Sequence, residues 1–346
     1  MAPLVSAIKN ARKSVDIVIF RFDRAELEAG LKAAVGRGIA VSALIAYANR
    51  GGEKSLRKLE MRLLAAGVAV SRTADDLVRY HDKLVIIDRR VLYALSFNFT
   101  HLDIDHSRGF GIVTKKAGLV QEALKLLAAD VARKPYEAGA DDFVVSPVNA
   151  RKQLTSLIGR SRKELLIYDP KISDPEILRA LSNRIQKGVT VKVIGSIGRK
   201  NHFLDVRPLA GLRLHTRTII RDGREAFVGS QSLRVAELDS RREVGVIVRE
   251  SKLVSGLVKA FEADWGRKKA ARNTDATPRE IKKKLKTMVD KLSPLNPLVK
   301  EAVREVVSKV GSETLDSAEI KETVEKAVKE AVRERVTEML NESEDE

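Results

Sequence analysis

The sequence predicts an α/β protein built from two tandem α/β repeats that pack as one body, followed by a helical C-terminal tail. Three observations carry this expectation: an internal duplication with fixed offsets, short apolar runs rich in β-branched residues between helix-patterned segments, and a change of composition after Trp265. Self-similarity at a fixed offset means that one supersecondary unit has been used more than once.

The first repeat opens with ARKSVDIVIF at 11–20, followed by GRGIAVSALI at 36–45. The second opens with SRKELLIYDP at 161–170, followed by QKGVTVKVIG at 186–195. Arg12 matches Arg162 and Gly38 matches Gly188, at an offset of 150 residues (162 minus 12). DIVIF and VSALI are too short for helices and carry β-branched residues, so they read as buried strands. Between them AELEAGLKAAVGRG has helical spacing and a glycine stop. Farther on, RYHDKLVIIDRRVLYALSFN at 79–98 matches RLHTRTIIRDGREAFVGSQS at 213–232, at an offset of 134 (215 minus 81). That register continues without a gap to Gly111 and Gly245. The first repeat is thus 16 residues longer before its histidine (150 minus 134), which the helix-patterned EKSLRKLEMRLLAAG accounts for. Alternating strands and helices in both halves give an α/β class.

These offsets place the first repeat at 1–136, the second at 137–267, and a linker with a tail at 268–346. In the tail, ARNTDAT is a polar linker, and Thr277-Pro278-Arg279-Glu280 reads as a capping box. Ile320, Val324, Val328, Val332, Val336 and Leu340 then fall at i, i+4 spacing, an amphipathic helix that needs a partner surface. Packing on the body or self-association through these helices is the expected use. A membrane-surface role is disfavoured because the polar face is mixed in sign.

Charge narrows the function classes. The chain has a formal net charge of +17. Residues Lys268–Glu346 hold 17 basic and 17 acidic side chains, so the whole excess lies in the body. A basic body suggests an anionic partner, nucleic acid or phospholipid headgroups. The absence of cysteine excludes disulfides and thiolate metal sites, and no apolar run has the roughly 18 residues that span a bilayer. The N-terminus does not read as a signal peptide. A cytoplasmic protein, peripheral to a membrane where its substrate is lipid, is the expectation.

The duplicated segment repeats its polar residues as well as its apolar ones, which core packing does not explain. His81 and Lys83 are two apart at the start of a strand and so face one side together. A turn at Asp88-Arg89-Arg90 leads to a second strand bearing Ser96 and Asn98, again two apart. His215, Arg217, Asp222, Ser230 and Ser232 stand at the same spacings in the second repeat. Asp88 has the opposite parity, which gives it an orienting or structural role rather than contact with phosphate. Two histidines, two cations and several neutral donors suit a tetrahedral oxyanion that must be held, attacked and protonated. One neutral imidazole would attack phosphorus while the other protonates the leaving oxygen. Lys83, Arg217, Asn98 and Ser232 would stabilise the non-bridging oxygens. No carboxylate or histidine cluster is spaced as a metal site, so this chemistry calls for no metal and no cofactor.

The pattern His81-x-Lys83-x4-Asp88, followed by Ser96-x-Asn98, resembles the HKD motif of the phospholipase D superfamily. His215-x-Arg217-x4-Asp222 with Gly229-Ser230 resembles it less completely, and the resemblance covers roughly residues 4–265. It implies two motifs meeting at a pseudo-twofold axis, a covalent phosphohistidine intermediate and phosphodiester substrates. It also implies a glutamate that hydrogen-bonds a motif histidine; Glu243 supplies it in the second repeat, whereas Gly109 stands at the matching position in the first. Arg217 replaces the family's lysine and Ser232 its asparagine. The resulting site is composite: catalytic His81, Lys83, Asp88, His215, Arg217, Asp222 and Glu243, with Ser96, Asn98, Ser230 and Ser232 binding phosphate. Asp103 or Asp105 are the stand-ins for the missing glutamate, and His215 is expected to keep Glu243. Family practice makes His81 the nucleophile and His215 the acid.

Three functions are open at this point. A phospholipid-directed hydrolase or phosphatidyltransferase, similar to cardiolipin synthases, leads because two-motif chains of this family are mostly lipid enzymes. A metal-independent nuclease is the alternative that the basic charge favours, although aromatic stacking residues are sparse. A weakly active or non-catalytic anion-binding protein is the third.

Overall fold

In each repeat an amphipathic helix hands the chain to a strand buried on both faces. In the first, α1 (Ala2–Lys9) leads to β1 (Ser14–Ile19), then α2 (Ala25–Gly36), β2 (Ala40–Ile45), α3 (Glu53–Ala65) and β3 (Ala69–Arg72). The chain continues through β4 (Arg79–Tyr80), the hairpin β5 (Leu84–Ile87) and β6 (Val91–Leu95), and α4 (His101–Asp105). The strands β7 (Ser107–Arg108) and β8 (Gly111–Thr114) and the long α5 (Ala117–Ala132) close it. The structure, a computed structural model, describes residues 2–47, 53–198 and 204–267. The capping box and the amphipathic helix expected in the tail lie outside the described residues.

The second repeat restates this order. After β9 (Phe143–Ser146) come α6 (Ala150–Gly159), β10 (Glu164–Ile172), α7 (Pro175–Gln186), β11 (Thr190–Ile197) and β12 (Asp205–Arg207). Then follow β13 (Arg213–Leu214), β14 (Arg217–Arg221), β15 (Glu225–Gly229), α8 (Val235–Asp239), β16 (Arg241–Val248) and α9 (Ser251–Gly266). Asp174 caps α7 by accepting from the amides of Glu176 and Ile177, with Pro175 in the first turn.

The first sheet runs β3-β2-β1-β5-β6-β8, and the second runs β12-β11-β10-β14-β15-β16 before continuing into β4, with β9 also on β16. Both are mixed in the same way. The first three strands are parallel, as crossover helices require, and the central strand then meets an antiparallel hairpin. Alternation along β5 sends Leu84 and Ile86 to one face and Val85 and Ile87 to the other. Outer helices cover one face of each sheet: Leu27 and Leu31 of α2 pack on Val15 and Ile17, and Ile177 and Leu181 of α7 pack on Leu165 and Ile167. The inner faces share a third core with α5 and α9, through Leu84, Leu124, Tyr168, Ile220, Phe261 and Trp265. Apolar residues on both faces explain why DIVIF and ELLIY read as continuous runs. Among the described residues no helix is long and apolar enough to cross a membrane.

The repeats are joined by two short parallel pairings. Arg79 and Tyr80 of β4 pair with Arg241 and Arg242 of β16, while Arg213 and Leu214 of β13 pair with Ser107 and Arg108 of β7. Exchanging the halves by the 134-residue offset, 79 and 80 forward to 213 and 214 and 241 and 242 back to 107 and 108, turns the first pairing into the second. A contact that is its own image under exchange of halves is the signature of a twofold relation. Each pair of residues just before a motif histidine is therefore bonded to the opposite repeat.

Candidate active site

The two pairings deliver both histidines to the boundary between the repeats. The amide of His81 donates to the carbonyl of Arg242 (2.8 Å), and that of His215 to the carbonyl of Arg108 (3.1 Å). Both imidazoles are buried, at 8% and 6% exposure. Because β16 lies beside β4, the Glu243 carboxylate reaches across to His81, with Oε2 2.8 Å from Nδ1. This corrects the expectation that Glu243 serves His215, the histidine of its own repeat. Register, not sequence proximity, decides the partner. The histidine deprived by the Gly109 departure is thus His215, whose Nδ1 lies 3.0 Å from the main-chain oxygen of Ser96. The missing carboxylate cannot be built at 109 without rearrangement, because a Cβ there would stand 2.7 Å from Cδ1 of Phe97.

The two cations behave alike. Lys83 Nζ donates to the carbonyl of His81, and Arg217 Nη1 donates to that of His215 (2.7 Å). Each charge is so fixed beside its own histidine, and Arg217 Nε also donates to Ser232 Oγ (3.3 Å). Phe20, at the carboxyl end of the parallel strand β1, packs its ring edge-on to His81 with centroids 4.5 Å apart, and Lys83 lies over it at 5.5 Å. Its signal in the sequence is its place at a strand's carboxyl end, where open α/β sheets present ligand-facing residues. Asn98 turns its amide to Asp103, whose Oδ2 accepts from Asn98 N (2.9 Å) and Nδ2 (2.6 Å). Asp103 does not take the glutamate's place at Nδ1. It approaches the other nitrogen of His215, with Oδ2 3.4 Å from Nε2, and its Oδ1 accepts from Arg213 Nη1 (2.6 Å). Arg213 is a site-bordering residue that the sequence reading did not single out. Asp105 pairs instead with Arg24 and His101.

Two further assignments are corrected. Asp88 and Asp222, grouped with the catalytic residues, are turn clasps at the far ends of β5 and β14. Asp88 accepts from the amides of Arg12 (2.9 Å), Lys13 (2.7 Å) and Ser14 (3.1 Å), and Asp222 from those of Arg162 (3.1 Å), Lys163 (2.7 Å) and Glu164 (3.0 Å). Both sit at positive φ, 54° and 53°, a conformation in which a short polar side chain is tolerated. Ser96 and Ser230, grouped with the phosphate binders, are fully buried and join neighbouring strands. The amide of Phe110 donates to Ser96 Oγ (2.9 Å) and that of Val244 to Ser230 Oγ (3.1 Å). The residues gathered at the boundary are therefore His81, Lys83, Asn98, His215, Arg217, Ser232 and Glu243, with Asp103 added. Among the described residues no group of three or more histidine, aspartate or glutamate side chains is arranged to hold a metal ion.

Electrostatics tie the two halves into one site. Burial pushes the His81 imidazolium well below the ordinary histidine range, and Lys83 and Arg217 push in the same direction. Burial also lowers His215, with Arg217 and Lys83 adding and Asp103 opposing. Each cation thus acts on the histidines of both repeats. Burial brings the Lys83 ammonium down to about 7 against the pull of Glu243. Glu243 is itself raised by burial, against Lys83, a hydrogen bond with Ser230, and Arg217, so Ser230 also steadies the carboxylate that meets His81. Burial thus favours the neutral imidazole at His81, and a proton on its Nδ1 faces Glu243 Oε2 while its Nε2 is turned away from that contact.

A profile of the family described as "Cardiolipin synthase, PLD-like domain" matches residues 4–131 and 154–265, one match for each repeat. The chain belongs to the phospholipase D superfamily. Members of this superfamily are phosphodiesterases or phosphatidyltransferases. Among curated proteins none matches at a significant level. Among solved structures the chain is similar to phosphatidylserine synthase from Haemophilus influenzae Rd KW20, at 11% identity and a TM-score of 0.61 over 84% of this chain and 92% of that one. It is also similar to polyphosphate kinase from Porphyromonas gingivalis, at 18% identity and a TM-score of 0.64 over 75% of this chain and 44% of that one. This phospholipase D-like chain thus spans less than half the length of the kinase, and at these identities both likenesses are of fold.

Proposed function

We propose that this phospholipase D-like chain cleaves phosphodiesters through a phosphohistidine on His81, with His215 as the proton donor, and that its substrates are phospholipids. The observation that carries the reading is the crossed arrangement of the histidines. Each Nδ1 is held by an acceptor from the other repeat, which leaves both Nε2 atoms as the reactive nitrogens. Neutral His81 attacks phosphorus through Nε2 while its Nδ1–H stays with Glu243. The bond from phosphorus to the leaving oxygen breaks as the N–P bond forms, and the proton on His215 Nε2 passes to that oxygen. Water or an acceptor alcohol then attacks the phosphohistidine, gives its proton to His215, and returns the lone pair to His81. Lys83, Arg217, Asn98 and Ser232 offer donors to the non-bridging oxygens.

The phospholipid assignment draws on the family description and on two exposed apolar residues close in sequence to the site residues. Val78, just ahead of His81, is 71% exposed, and Val235, just past Ser232, is 50% exposed. Apolar side chains beside a cationic site suit a headgroup that arrives with its acyl chains. The test is product release from fluorescent phosphatidylglycerol and phosphatidylcholine vesicles with a chelator present, run beside plasmid and single-stranded DNA. Chelator-insensitive lipid cleavage that is lost in His81→Ala supports the reading. Cleavage of DNA but not lipid replaces it with a nuclease, and cleavage of neither makes the chain a non-catalytic anion binder.

A further inference from the structure

His215 departs from His81 in what surrounds its reacting nitrogen. The carbonyl oxygen of Ser96, 3.0 Å from Nδ1, can only accept, so Nδ1 carries a proton. Nε2 is then either a bare lone pair or an N–H. Facing it at 3.4 Å is Oδ2 of Asp103, a carboxylate only 4% exposed. That carboxylate is fixed at both oxygens, by the Asn98 amides on Oδ2 and by Arg213 on Oδ1. Burial pushes this carboxyl up, but the His215 charge, the Asn98 amide and Arg213 bring it down to about 2, and the donors from Asn98 and Arg213 call for a carboxylate whatever the state of His215. A lone pair on Nε2 would point at the lone pairs of an anion, whereas an N–H would be attracted to it. Burial, with Arg217, Lys83 and Arg213, pushes the His215 imidazolium well below the ordinary histidine range, and Asp103 alone works against it; the carboxylate facing Nε2 is therefore what the proton there depends on. The position matching Asp103 in the second repeat is Glu237. It is taken by Arg234 and Arg241 and makes no bond to His81, whose Nε2 has no hydrogen-bond partner among the described residues. Among the described residues only His215 has an anion at its reacting nitrogen.

We propose that Asp103 is a positioning residue that keeps the proton on Nε2 of His215 until substrate arrives, and so fixes His215 as the group that protonates the leaving oxygen. The proposal rests on the phosphodiesterase reading above. Asp103 Oδ2 occupies the side of Nε2 that the leaving oxygen must approach, so it is an internal stand-in for a substrate oxygen. When a phosphodiester enters, the Asn98 amide and the His215 N–H exchange that oxygen for those of the substrate. No bond to Asp103 forms or breaks. It supplies charge and place, and the proton it guards is the one delivered to the alcohol.

A purely structural Asp103, tying Arg213 to Asn98, makes a different prediction, and nitrogen NMR on the full chain with labelled histidines separates the two. In the wild type, His215 is expected to stay an imidazolium to a higher pH than His81, the two being assigned with His81→Gln and His215→Gln. In Asp103→Asn, His215 is expected to lose its proton about one to three pH units earlier, and Asp103→Glu should restore part of that shift. A His215 that deprotonates at or below the pH of His81 overturns the proposal, as does equal titration in wild type and Asp103→Asn. Neither result depends on turnover. The kinetic readout compares a dialkyl phosphodiester with a p-nitrophenyl phosphodiester, whose leaving group needs no proton. Asp103→Asn should lose on the order of 100-fold more rate on the dialkyl substrate than on the aryl one. Equal losses on both indicate a structural role and contradict the proposal. A wild type that cleaves neither strikes the phosphodiesterase reading, and the NMR result still decides on Asp103.

Discussion

At the scale of single residues, the site is a matter of which carboxylate reaches which nitrogen. Glu243 fixes the tautomer of His81 from 2.8 Å. Glu243→Gln keeps the shape, removes the charge and lets an amide N–H turn toward Nδ1. The expected loss in kcat/KM is on the order of a thousandfold or more, with the melting temperature little changed, read by steady-state kinetics beside a thermal scan. Lys83 gives a pH dependence: its ammonium is brought down to about 7, so it becomes neutral as pH rises through that value and phosphate binding weakens. KM should climb above roughly that pH, and Lys83→Arg, charged throughout, should flatten the climb. Asp88 and Asp222 belong to stability instead. Burial pushes each carboxyl up, but three backbone amides outweigh it and the net direction is down. Their contribution is therefore full above the ordinary carboxylate range near 4 and is lost as pH falls through the lowered folded values. Asp222→Ala should lower stability by about 1–3 kcal/mol in a denaturant titration at neutral pH, and by less at strongly acid pH. The residue types were legible in the sequence because they recur at fixed offsets. The roles of Ser96 and Ser230 were not, because spacing shows which residues recur and not whether a hydroxyl is already satisfied by backbone; for Asp88 strand parity already points away from phosphate, and the structure supplies the three amides it clasps.

The elements explain why. The duplication predicted the opening strands and helices of both repeats, the strand-turn-strand after each motif histidine, and the extra α3 before the first histidine. It did not reveal that β4 and β13 each join the opposite repeat. Two-residue strands carry no periodicity, and their pairing is a tertiary choice. That choice sends Glu243 to His81 and leaves His215 to Asp103, a crossing no linear reading of motif order contains. The boundary is braced by α9. Asp264, fully buried in its side chain, accepts from Arg108 Nε and Nη2 at 2.7 Å each and from the Tyr168 hydroxyl at 2.7 Å. Arg108 in turn offers its carbonyl to the amides of His215 and Thr216 (3.1 and 2.8 Å). Asp264→Ala strands a guanidinium that is only 24% exposed and should cost about 3–5 kcal/mol, measured by calorimetry. An unchanged melting temperature would show that the helix is not a brace.

For the molecule as a whole, the relevant facts are one body with two repeats, a net charge of +17 carried there, and a single site that neither repeat completes alone. Charge of this size acts at long range and is screened within about 8 Å at physiological salt. Binding to anionic vesicles should therefore weaken steeply as salt rises, whereas turnover of a short-chain soluble phosphodiester should change little. Equal salt sensitivity in the two assays would place the effect inside the site. The sequence made the class of the fold legible, because duplication and buried strands leave a pattern; which carboxylate reaches which histidine depends on three-dimensional register and does not. The central claim is that His81 is the nucleophile of a composite site and His215 its acid. The most direct test is intact and peptide mass analysis of His215→Gln after brief exposure to a p-nitrophenyl phosphodiester, which needs no acid for its departure. The account predicts an acid-labile phosphoryl adduct on His81 that is absent from His81→Gln. An adduct on His215 in the wild type, or active wild type that never carries one on His81, would contradict it.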